Sequence, residues 1–373
     1  MKVVVASTGL GYTRRGIESW ISDLAPRLGS AGHTVELWSG GPIGNSSVRS
    51  RRLFALNRDV RWIRGLSWDR RYVLEQLSVL PLAIAMLRLI RADMFYCGDP
   101  LLSWHLKKFH HHHGARVVFM NGMRLSPGWA RHFDGVHLLA QPYLETARAE
   151  VGARDAGRFF AVPHFADVER FTAATPCQRV YARRALGLEE SAFVVVNVGP
   201  VGLASRKRLD YLAEEVAAAG PKSVLVSVGA DEDGAKLVHA RARDVLGNRY
   251  LPQGTVRREK MPAVFHAGDV YSLGSIAEPF SIAILEAMAS GLPIVHHSDG
   301  VMKWQTGAGG IAVSMTQKGD AAAAFRELEA NPGFREEVGA RARNEAETRY
   351  SPQTICDQLW VELLRIQSRP SDD

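Results

Sequence analysis

Two glutamates, Glu278 and Glu286, stand eight positions apart on either side of a predicted helix start. Pro279 has a fixed φ and no backbone donor, which suits the opening of a helix. Backbone N–H groups in the first turn of a helix lack internal partners and can hold phosphate or sugar oxygens. The donors predicted in this way are those of Phe280, Ser281 and Ile282.

A packed helix must hold the second carboxylate in place. Ile282, Leu285 and Met288 recur at helical spacing, and Gly291 follows where a helix cap is expected. Glu286 is therefore expected in the second turn, where a carboxylate can accept two hydrogen bonds from a vicinal diol such as a ribose. Two spaced carboxylates alone do not establish a site, because solvated helix faces often carry them.

The segment from Glu278 to Glu286 resembles the E-P-F-G-x-x-x-x-E signature of retaining GT-B glycosyltransferases, particularly family 4, with Ser281 at the glycine position. The resemblance implies an α/β protein of GT-B architecture, with two Rossmann-like doubly wound domains facing across a cleft. It implies a retaining, metal-independent hexosyltransferase whose co-substrate is a nucleotide-diphosphate sugar, with no further cofactor. Glu278 would contact the transferred sugar near the reacting centre, and Glu286 would bind the ribose hydroxyls.

Strand-like runs alternate with helical patterns, which predicts parallel sheets built from α/β units. The predicted strands are residues 3–6, 34–38, 93–97, 116–120, 136–140, 159–162, 193–198 and 222–228.

Residues 162–171 resemble the family's V-P-N-G-V-D-x-x-x-F junction, with His164 and Phe165 in place of Asn-Gly. The resemblance sets a domain boundary near residue 172. The domains it implies are residues 1–171 on the acceptor side, residues 172–351 for the nucleotide sugar, and a helix within 352–373 that packs back on the first domain.

A glycine-rich loop joins the first predicted strand to the first predicted helix. Its glycines let a backbone approach a ligand closely, but they do not spell the G-x-G-x-x-G of dinucleotide-binding proteins. The loop resembles the family's G-G-x-E loop, with Arg15 in place of the first glycine. The resemblance assigns Gly11, Arg15 and Gly16 to the cleft, near the donor phosphates and the acceptor. The alternative is a glycine-rich turn without a ligand.

Positive charge gathers after the first predicted strand of the second domain. Gly199 and Lys207 match the family's V-G-R-L-x-x-x-K-G-x-D segment, in which an arginine and the lysine neutralise the leaving diphosphate. Pro200 stands at the arginine position, so the resemblance leaves Arg206 or Arg208 to supply the second charge. The alternative is a solvated helix start that happens to be basic.

Further matches at Gly229 and Gly254–Val256 are softer, and each has an ordinary structural explanation. Gly229 follows a predicted strand and resembles the V-G-x-G loop near the nucleotide. The run from Gly254 to Val256 resembles the family's L-G-x-V, where backbone groups around the valine recognise the base edge. Asn121 stands where many family members place a histidine facing the transferred sugar. Its amide can hydrogen-bond a sugar hydroxyl, but it cannot act as a general base.

The composition predicts an ordinary soluble enzyme, because 373 residues with 46% hydrophobic and 23% charged content can bury two cores. Cys97, Cys177 and Cys356 have no metal-ligand or redox spacing, so free thiols in the cytoplasm are expected. The histidine run at 110–113 is typical of a helix end and predicts no designed metal site.

The net charge of +7 favours anionic partners. Residues 49–71 collect eight arginines around Trp62 and Trp68, which predicts a patch for an anionic membrane surface and a lipid-linked or sugar acceptor. The alternative is a solvated basic loop, and no nucleic-acid-binding signature accompanies it. The helix candidate 77–87 contains Pro81 and is shorter than the ~18 to 20 residues of a membrane span. A cytoplasmic protein, peripheral at the inner membrane face, is expected.

Two other functions are compatible with the same residues. A catalytically silent nucleotide-sugar-binding protein is suggested by Pro200, Ser281 and Asn121, which replace family residues. A sugar-nucleotide epimerase on the same architecture would convert the donor without any acceptor. The residues do not distinguish the donor base, the sugar, the acceptor or the oligomeric state.

Overall fold

The computed structural model describes residues 1–13, 16–29, 32–44, 46–58, 60–63, 65–122 and 125–370. The chain divides into two compact units. The first unit comprises Met1–His164 and Gln353–Asp373, and the second comprises Phe165–Pro352. Each unit has its own parallel sheet with helices, so the predicted α/β fold with two Rossmann-like units is confirmed.

Parallel strands build the sheet of the first unit, in the order β3-β2-β1-β4-β5-β6-β7 among the described residues. They are β1 Lys2–Ser7, β2 Thr34–Ser39, β3 Arg49–Arg52, β4 Met94–Cys97, β5 Arg116–Met120, β6 Gly135–Leu138 and β7 Phe159–Ala161. The strand order reverses between β1 and β4. The loops after these two strands therefore diverge and leave a crevice at the carboxyl edge of the sheet.

The helices of the first unit pack on this sheet. They are α1 Gly16–Gly29, α2 Trp68–Ile90, α3 Pro100–Lys108, α4 His110–His113, α5 Pro127–Ala130 and α6 Gln141–Ala156, together with α15 Pro352–Gln367. α15 follows the second unit in sequence, yet it buries Ile355, Leu359 and Leu363 in the first. Its Trp360 indole N–H donates to the Leu28 carbonyl at 3.3 Å, which anchors it on α1.

Helix α2 is longer than the predicted segment 77–87. It has 23 residues, Ser67 caps it, and Pro81 lies inside it on an exposed face, where water can bind the carbonyl left without a donor. By length and composition alone, α2 could cross a membrane, and 28% of its most apolar window is buried. The expectation that this helix is too short was therefore wrong, although core helices of soluble proteins can have the same length and composition.

The second unit contains another parallel sheet, in the order β10-β9-β8-β11-β12-β13 within the described part of the chain. Its strands are β8 Phe193–Val198, β9 Ser223–Val228, β10 Tyr250–Pro252, β11 Val270–Ser272, β12 Ile294–His297 and β13 Gly310–Val313. Its helices are α7 Pro176–Ala185, α8 Leu209–Ala219, α9 Ala235–Leu246, α10 Met261–Ala267, α11 Ile282–Ala289, α12 Gly300–Thr306, α13 Asp320–Ala330 and α14 Pro332–Arg349. The order reverses between β8 and β11.

Candidate active site

Lys207 and Glu278 form an ion pair in the second unit. Lys207 lies in the loop after β8 and Glu278 in the loop after β11, and Lys207 Nζ is 2.8 Å from Glu278 Oε2. Both loops leave the carboxyl ends of their strands where the strand order reverses. Ligands of open α/β sheets bind in the crevice at such a point. The two side chains are 15% and 10% exposed, so the pair is reachable from solvent and only weakly screened.

Two glycines pack closely against the side chain and the backbone of Lys207. A Cβ at Gly199 would lie 2.6 Å from Lys207 Cγ, and a Cβ at Gly274 would lie 3.0 Å from the Lys207 carbonyl oxygen. Gly229 packs against Gly199 in turn, since its Cβ would lie 1.8 Å from the Gly199 oxygen. Gly199 and Gly229, both predicted at the donor site, therefore have a packing reason to be glycine that needs no ligand.

The two arginines near the lysine differ in role. The Arg208 guanidinium donates to the carbonyls of Gly274 at 3.1 Å and Met315 at 2.8 Å, and it lies over the Tyr211 ring at 4.3 Å. Arg208 thus joins backbone segments, so this arginine has a structural role besides its predicted one as a donor-binding charge. Arg206 is exposed on the same loop and is the better candidate for that charge.

Helix α11 begins later than predicted. It starts at Ile282, and Ser281 caps it by accepting from the Ile284 N–H at 3.4 Å. Serine is a strongly preferred cap, which moves the helix start past Pro279. The Ser281 N–H donates to Gln305 Oε1 at 3.3 Å, and Gln305 Nε2 donates back to the Ser281 carbonyl at 2.7 Å. The buried Gln305, which no sequence pattern indicated, therefore fixes the helix start.

The set of first-turn donors changes accordingly. Phe280 precedes the helix, with its ring centroid 6.4 Å from that of Trp304, and the Ser281 N–H is engaged by a side chain. The first turn itself offers the N–H groups of Ile282 and Ala283. Of the three predicted donors, only Ile282 keeps its place in the first turn.

Glu286 lies in the second turn of α11, as expected, and is largely buried. Arg258 Nη2 lies 3.8 Å from Glu286 Oε1. Arg258 belongs to a 3-10 turn after β10, two positions beyond Val256, the half-buried residue predicted near the base edge. Gly229 N–H donates to the Gly254 carbonyl at 2.9 Å, so the loops after β9 and β10 meet near this turn. Arg258 was missed because no motif position pointed to it.

Tyr271 lies beneath the two glutamates. It is fully buried in β11, and its hydroxyl donates to the Val198 carbonyl at 3.3 Å. Burial raises the pKa of the Tyr271 phenol well above its ordinary value, and the charge of Glu278 raises it further. A phenol that stays protonated keeps its hydrogen bond and adds no negative charge below the site.

Among the predicted residues of the first loop, Gly11 is held by packing within the first unit. Gly11 has a φ of 97°, and a Cβ there would lie 2.4 Å from the backbone of Gly41, so glycine is required. Gly16 is the first residue of α1. Arg15 lies outside the described residues.

Asn121 follows β5 and uses both ends of its amide internally. Its Nδ2 donates to the Leu125 carbonyl at 2.8 Å, and its Oδ1 accepts from the Leu125 N–H at 2.7 Å. The side chain is buried and ties Asn121 to Leu125. A sugar hydroxyl would have to replace one of these backbone partners, so the predicted sugar contact has a competing structural role.

A buried polar cluster joins the ends of β1 and β4. Asp99 accepts from the Thr8 N–H at 2.7 Å and the Tyr72 hydroxyl at 3.0 Å, while Glu75 accepts from the Thr8 hydroxyl at 2.8 Å. Arg58 Nη2 donates to Glu75 at 2.6 Å. Burial raises the pKa of the Asp99 carboxyl above its ordinary value. The cluster holds Thr8 at the start of the first loop, and sequence spacing did not reveal the cluster because its members are far apart.

Metal-ligating side chains do not gather in the described ranges of the chain: no group of three or more His, Cys, Asp or Glu residues could hold an ion there. The histidine run forms the short helix α4. Its His113 is buried, bonds to the Leu106 carbonyl at 2.9 Å and accepts from the Ala115 N–H at 3.0 Å. This histidine therefore has a structural role.

Comparisons with known proteins bear on the second unit most directly. A family model described as Glycosyl transferases group 1 matches residues 192–331. A D-inositol 3-phosphate glycosyltransferase of Geodermatophilus obscurus is 32% identical over 208 residues, 52% of this chain and 44% of that protein. A GDP-mannose-dependent monoacylated alpha-(1-6)-phosphatidylinositol monomannoside mannosyltransferase of Corynebacterium glutamicum is 29% identical over 213 residues, 54% and 55% of the two chains. The chain spans about half the length of these curated relatives.

Solved structures match nearly the whole chain. Sucrose-phosphate synthase from Thermosynechococcus elongatus has a TM-score of 0.79 at 18% identity, covering 98% of this chain and 99% of that one. HepE of Anabaena, solved in complex with UDP and glucose, has a TM-score of 0.78 at 17% identity, covering 98% and 100%. At such identities the likeness concerns the fold. The chain therefore has the GT-B fold, and residues 192–331 of its second unit match the model of Glycosyl transferases group 1.

Proposed function

We propose that this chain is a retaining glycosyltransferase, which moves a sugar from a nucleotide-diphosphate sugar to an acceptor hydroxyl. The ion pair between Lys207 and Glu278 carries the proposal. The lysine supplies positive charge for the diphosphate as it leaves, and such stabilisation is usually the largest electrostatic contribution to catalysis. The carboxylate supplies negative charge where the sugar ring becomes positive.

In this proposal, donor binding changes the counterion of Lys207. The diphosphate replaces Glu278 as the counterion of Lys207, and the released carboxylate turns to the sugar. The N–H groups of Ile282 and Ala283 hold phosphate oxygens at the helix start. Glu286 accepts hydrogen bonds from the two ribose hydroxyls. Its position in the second turn of α11 suits this role.

The names of the relatives suggest the first substrates to test. Inositol 3-phosphate is an anionic acceptor, which fits a chain of net charge +7. GDP-mannose and UDP-glucose are the first donors, from a relative's name and from the UDP and glucose bound in a solved structure. A lipid-linked acceptor is the second class, because one relative's name includes an acylated phosphatidylinositol mannoside.

Metal independence and a cytoplasmic location belong to the same proposal. A lysine beside the diphosphate supplies the kind of charge that a divalent cation supplies in metal-dependent enzymes. Cys97, Cys177 and Cys356 are free thiols, as in proteins of reducing compartments.

A nucleotide-sugar-binding protein without catalytic activity is the second candidate. Asn121 favours it, because its amide is engaged by backbone where many family members place a sugar-facing histidine. The test is to incubate the protein with UDP-glucose or GDP-mannose, with and without inositol 3-phosphate, and to follow both compounds by NMR. Transfer with retained anomeric configuration supports the proposal. Binding without turnover favours the second candidate, and donor conversion without acceptor would indicate an epimerase.

A further inference from the structure

The arginine-rich segment 49–71 is partly internal. Arg51 Nε lies 2.7 Å from Glu36, and Arg58 is buried against Glu75. These arginines serve the fold, so they cannot meet an external surface. Arg61 and Arg70 remain exposed, as do Trp62 and Phe54, which are 73% and 71% exposed.

An apolar stripe continues from this region along α2. Leu74, Leu77, Leu82 and Leu89 are 37%, 36%, 40% and 74% exposed. Pro81 and Ala85 are exposed as well, so the stripe recurs at helical spacing over four turns of the helix. No charged residue occurs from position 76 to position 87. An exposed apolar stripe of this length marks an interaction surface.

Positive charge flanks the stripe at both ends. Arg70 is exposed at its start and Arg88 at its end. A groove beside the end of α2 is lined by Arg88, Arg91, His111 and His112, next to Leu89. One carboxylate also lines this groove, but Asp93 accepts from the backbone N–H of Lys2 at 2.6 Å. The ligand that fits an apolar stripe between cationic ends is an anionic amphiphile.

We propose that this face binds a bilayer containing anionic phospholipids, with α2 lying in the plane of the interface. This face includes two residues that precede α2, Arg61 and Trp62. On α2 itself it consists of Leu74, Leu77, Leu82 and Leu89 with Arg70 and Arg88. The leucines enter the boundary of the acyl chains, and the arginines contact lipid phosphates. The helix does not span the bilayer, because its opposite face buries Val79, Ala83 and Leu87 in the first unit. The proposal concerns attachment alone and does not depend on sugar transfer.

Sedimentation with vesicles tests the proposal. The full chain is mixed at low salt with vesicles of equal parts phosphatidylcholine and phosphatidylglycerol, and separately with vesicles of phosphatidylcholine alone. We expect binding to the anionic vesicles, at least about tenfold weaker binding to the neutral ones, and a marked loss on adding salt. Tryptophan fluorescence should shift to shorter wavelength on binding, and the shift should be smaller in Trp62→Phe.

Variants distinguish the contribution of the apolar stripe to vesicle binding from that of charge attraction. A variant that combines Leu74→Gln, Leu77→Gln and Leu82→Gln should bind the vesicles at least about tenfold more weakly. Three leucines that enter the bilayer are lost in it. Leu237→Gln with Val245→Gln, on the exposed face of α9, is the matched control and should bind like the unchanged chain. Circular dichroism checks that each variant is folded.

Three results would overturn the proposal. The first is a failure of the unchanged chain to sediment with anionic vesicles at low salt. The second is equal vesicle binding by the folded triple-leucine variant and the unchanged chain. The third is a dimer in analytical ultracentrifugation that the same variant abolishes, because a second copy would then cover the stripe.

Discussion

Arg258 and Glu286 are paired across two elements of the second unit, with Arg258 Nη2 3.8 Å from Glu286 Oε1. One partner sits in a turn after β10 and the other in the second turn of α11. A pair of this length is held by charge attraction and is longer than a hydrogen bond. A ribose diol that hydrogen-bonds to Glu286 would compete with this pair.

Glu286→Ala should weaken nucleotide-sugar binding about tenfold to hundredfold, because a hydrogen bond to a charged group contributes roughly 1.5 to 3 kcal/mol. Titration calorimetry with UDP-glucose and GDP-mannose measures the change. Glu336→Ala removes an exposed carboxylate from α14 and is the control. Unchanged affinity in Glu286→Ala would remove this residue from the site.

Glu278→Gln should lower kcat about hundredfold to thousandfold while donor affinity changes little, because the lost charge acts mainly in the transition state. Single-turnover kinetics and calorimetry on the same preparation separate the two effects. Glu214→Gln, which breaks the surface pair with Lys318, should leave both unchanged. A variant as active as the unchanged chain contradicts the role of Glu278, and loss of activity in chelator contradicts metal independence.

Gly199→Ala should displace the Lys207 side chain, since the new Cβ would lie 2.6 Å from its Cγ. Small displacements of a catalytic group are costly, so kcat/KM should fall about tenfold to hundredfold. Gly300→Ala is the matched control, because its Cβ would meet nothing within 4 Å. Equal kinetics in both variants would show that the lysine tolerates the shift or is not needed.

Gln305→Leu should lower the free energy of unfolding by about 1 to 3 kcal/mol, because the N–H and carbonyl of Ser281 lose buried partners. Urea unfolding measures this change. Gln353→Leu alters an exposed glutamine at the start of α15 and should change stability by less than about 0.5 kcal/mol. A Gln305→Leu protein as stable as the control would mean that water replaces the glutamine.

Buried histidines should make the first unit sensitive to acid. Burial lowers the pKa of His137 to about 4 and that of His164 to about 3. The unfolded chain binds protons at these positions below about 6.5, whereas the folded chain does not, so stability falls as pH falls from about 6.5 toward 4. Each site contributes at most about 1.4 kcal/mol per pH unit.

Urea unfolding between about pH 7 and about pH 5 measures this dependence. His137→Phe removes one of these two histidines. The free energy of unfolding should then fall less steeply with decreasing pH, whatever the stability of the variant at neutral pH. His111→Phe, an exposed histidine in α4, should leave the slope as it is. Equal slopes in all three proteins would contradict the depressed pKa of His137.

The strands could be predicted well because buried parallel strands are continuous apolar runs. β5 and β8 occupy the predicted residues 116–120 and 193–198. β3 is the exception, since Arg49–Arg52 has no apolar pattern. It exists through pairing with β2 and through the ion pair from Arg51 to Glu36 on that strand. Only the fold brings these partners together.

The candidate site could be predicted only where a motif marked it. Lys207 and Glu278 belong to separate motifs, and their contact follows from β8 and β11 being neighbours. Gln305 acts through Ser281, 24 positions away, and no spacing rule connects them. The helix start was misplaced because Pro279 and Ser281 are both good openings, and the buried glutamine decides between them.

The position of α15 sets an order for folding during synthesis. The second unit is continuous in sequence and is complete once Pro352 has left the ribosome. The first unit begins earlier but still lacks α15 at that moment, with the surface for Leu359 and Trp360 uncovered. The first unit is therefore synthesised first but completes its fold second. Until α15 is made, its uncovered apolar surface is exposed to aggregation. A premature stop codon just before α15 would leave the second unit complete and the apolar surface of the first unit uncovered.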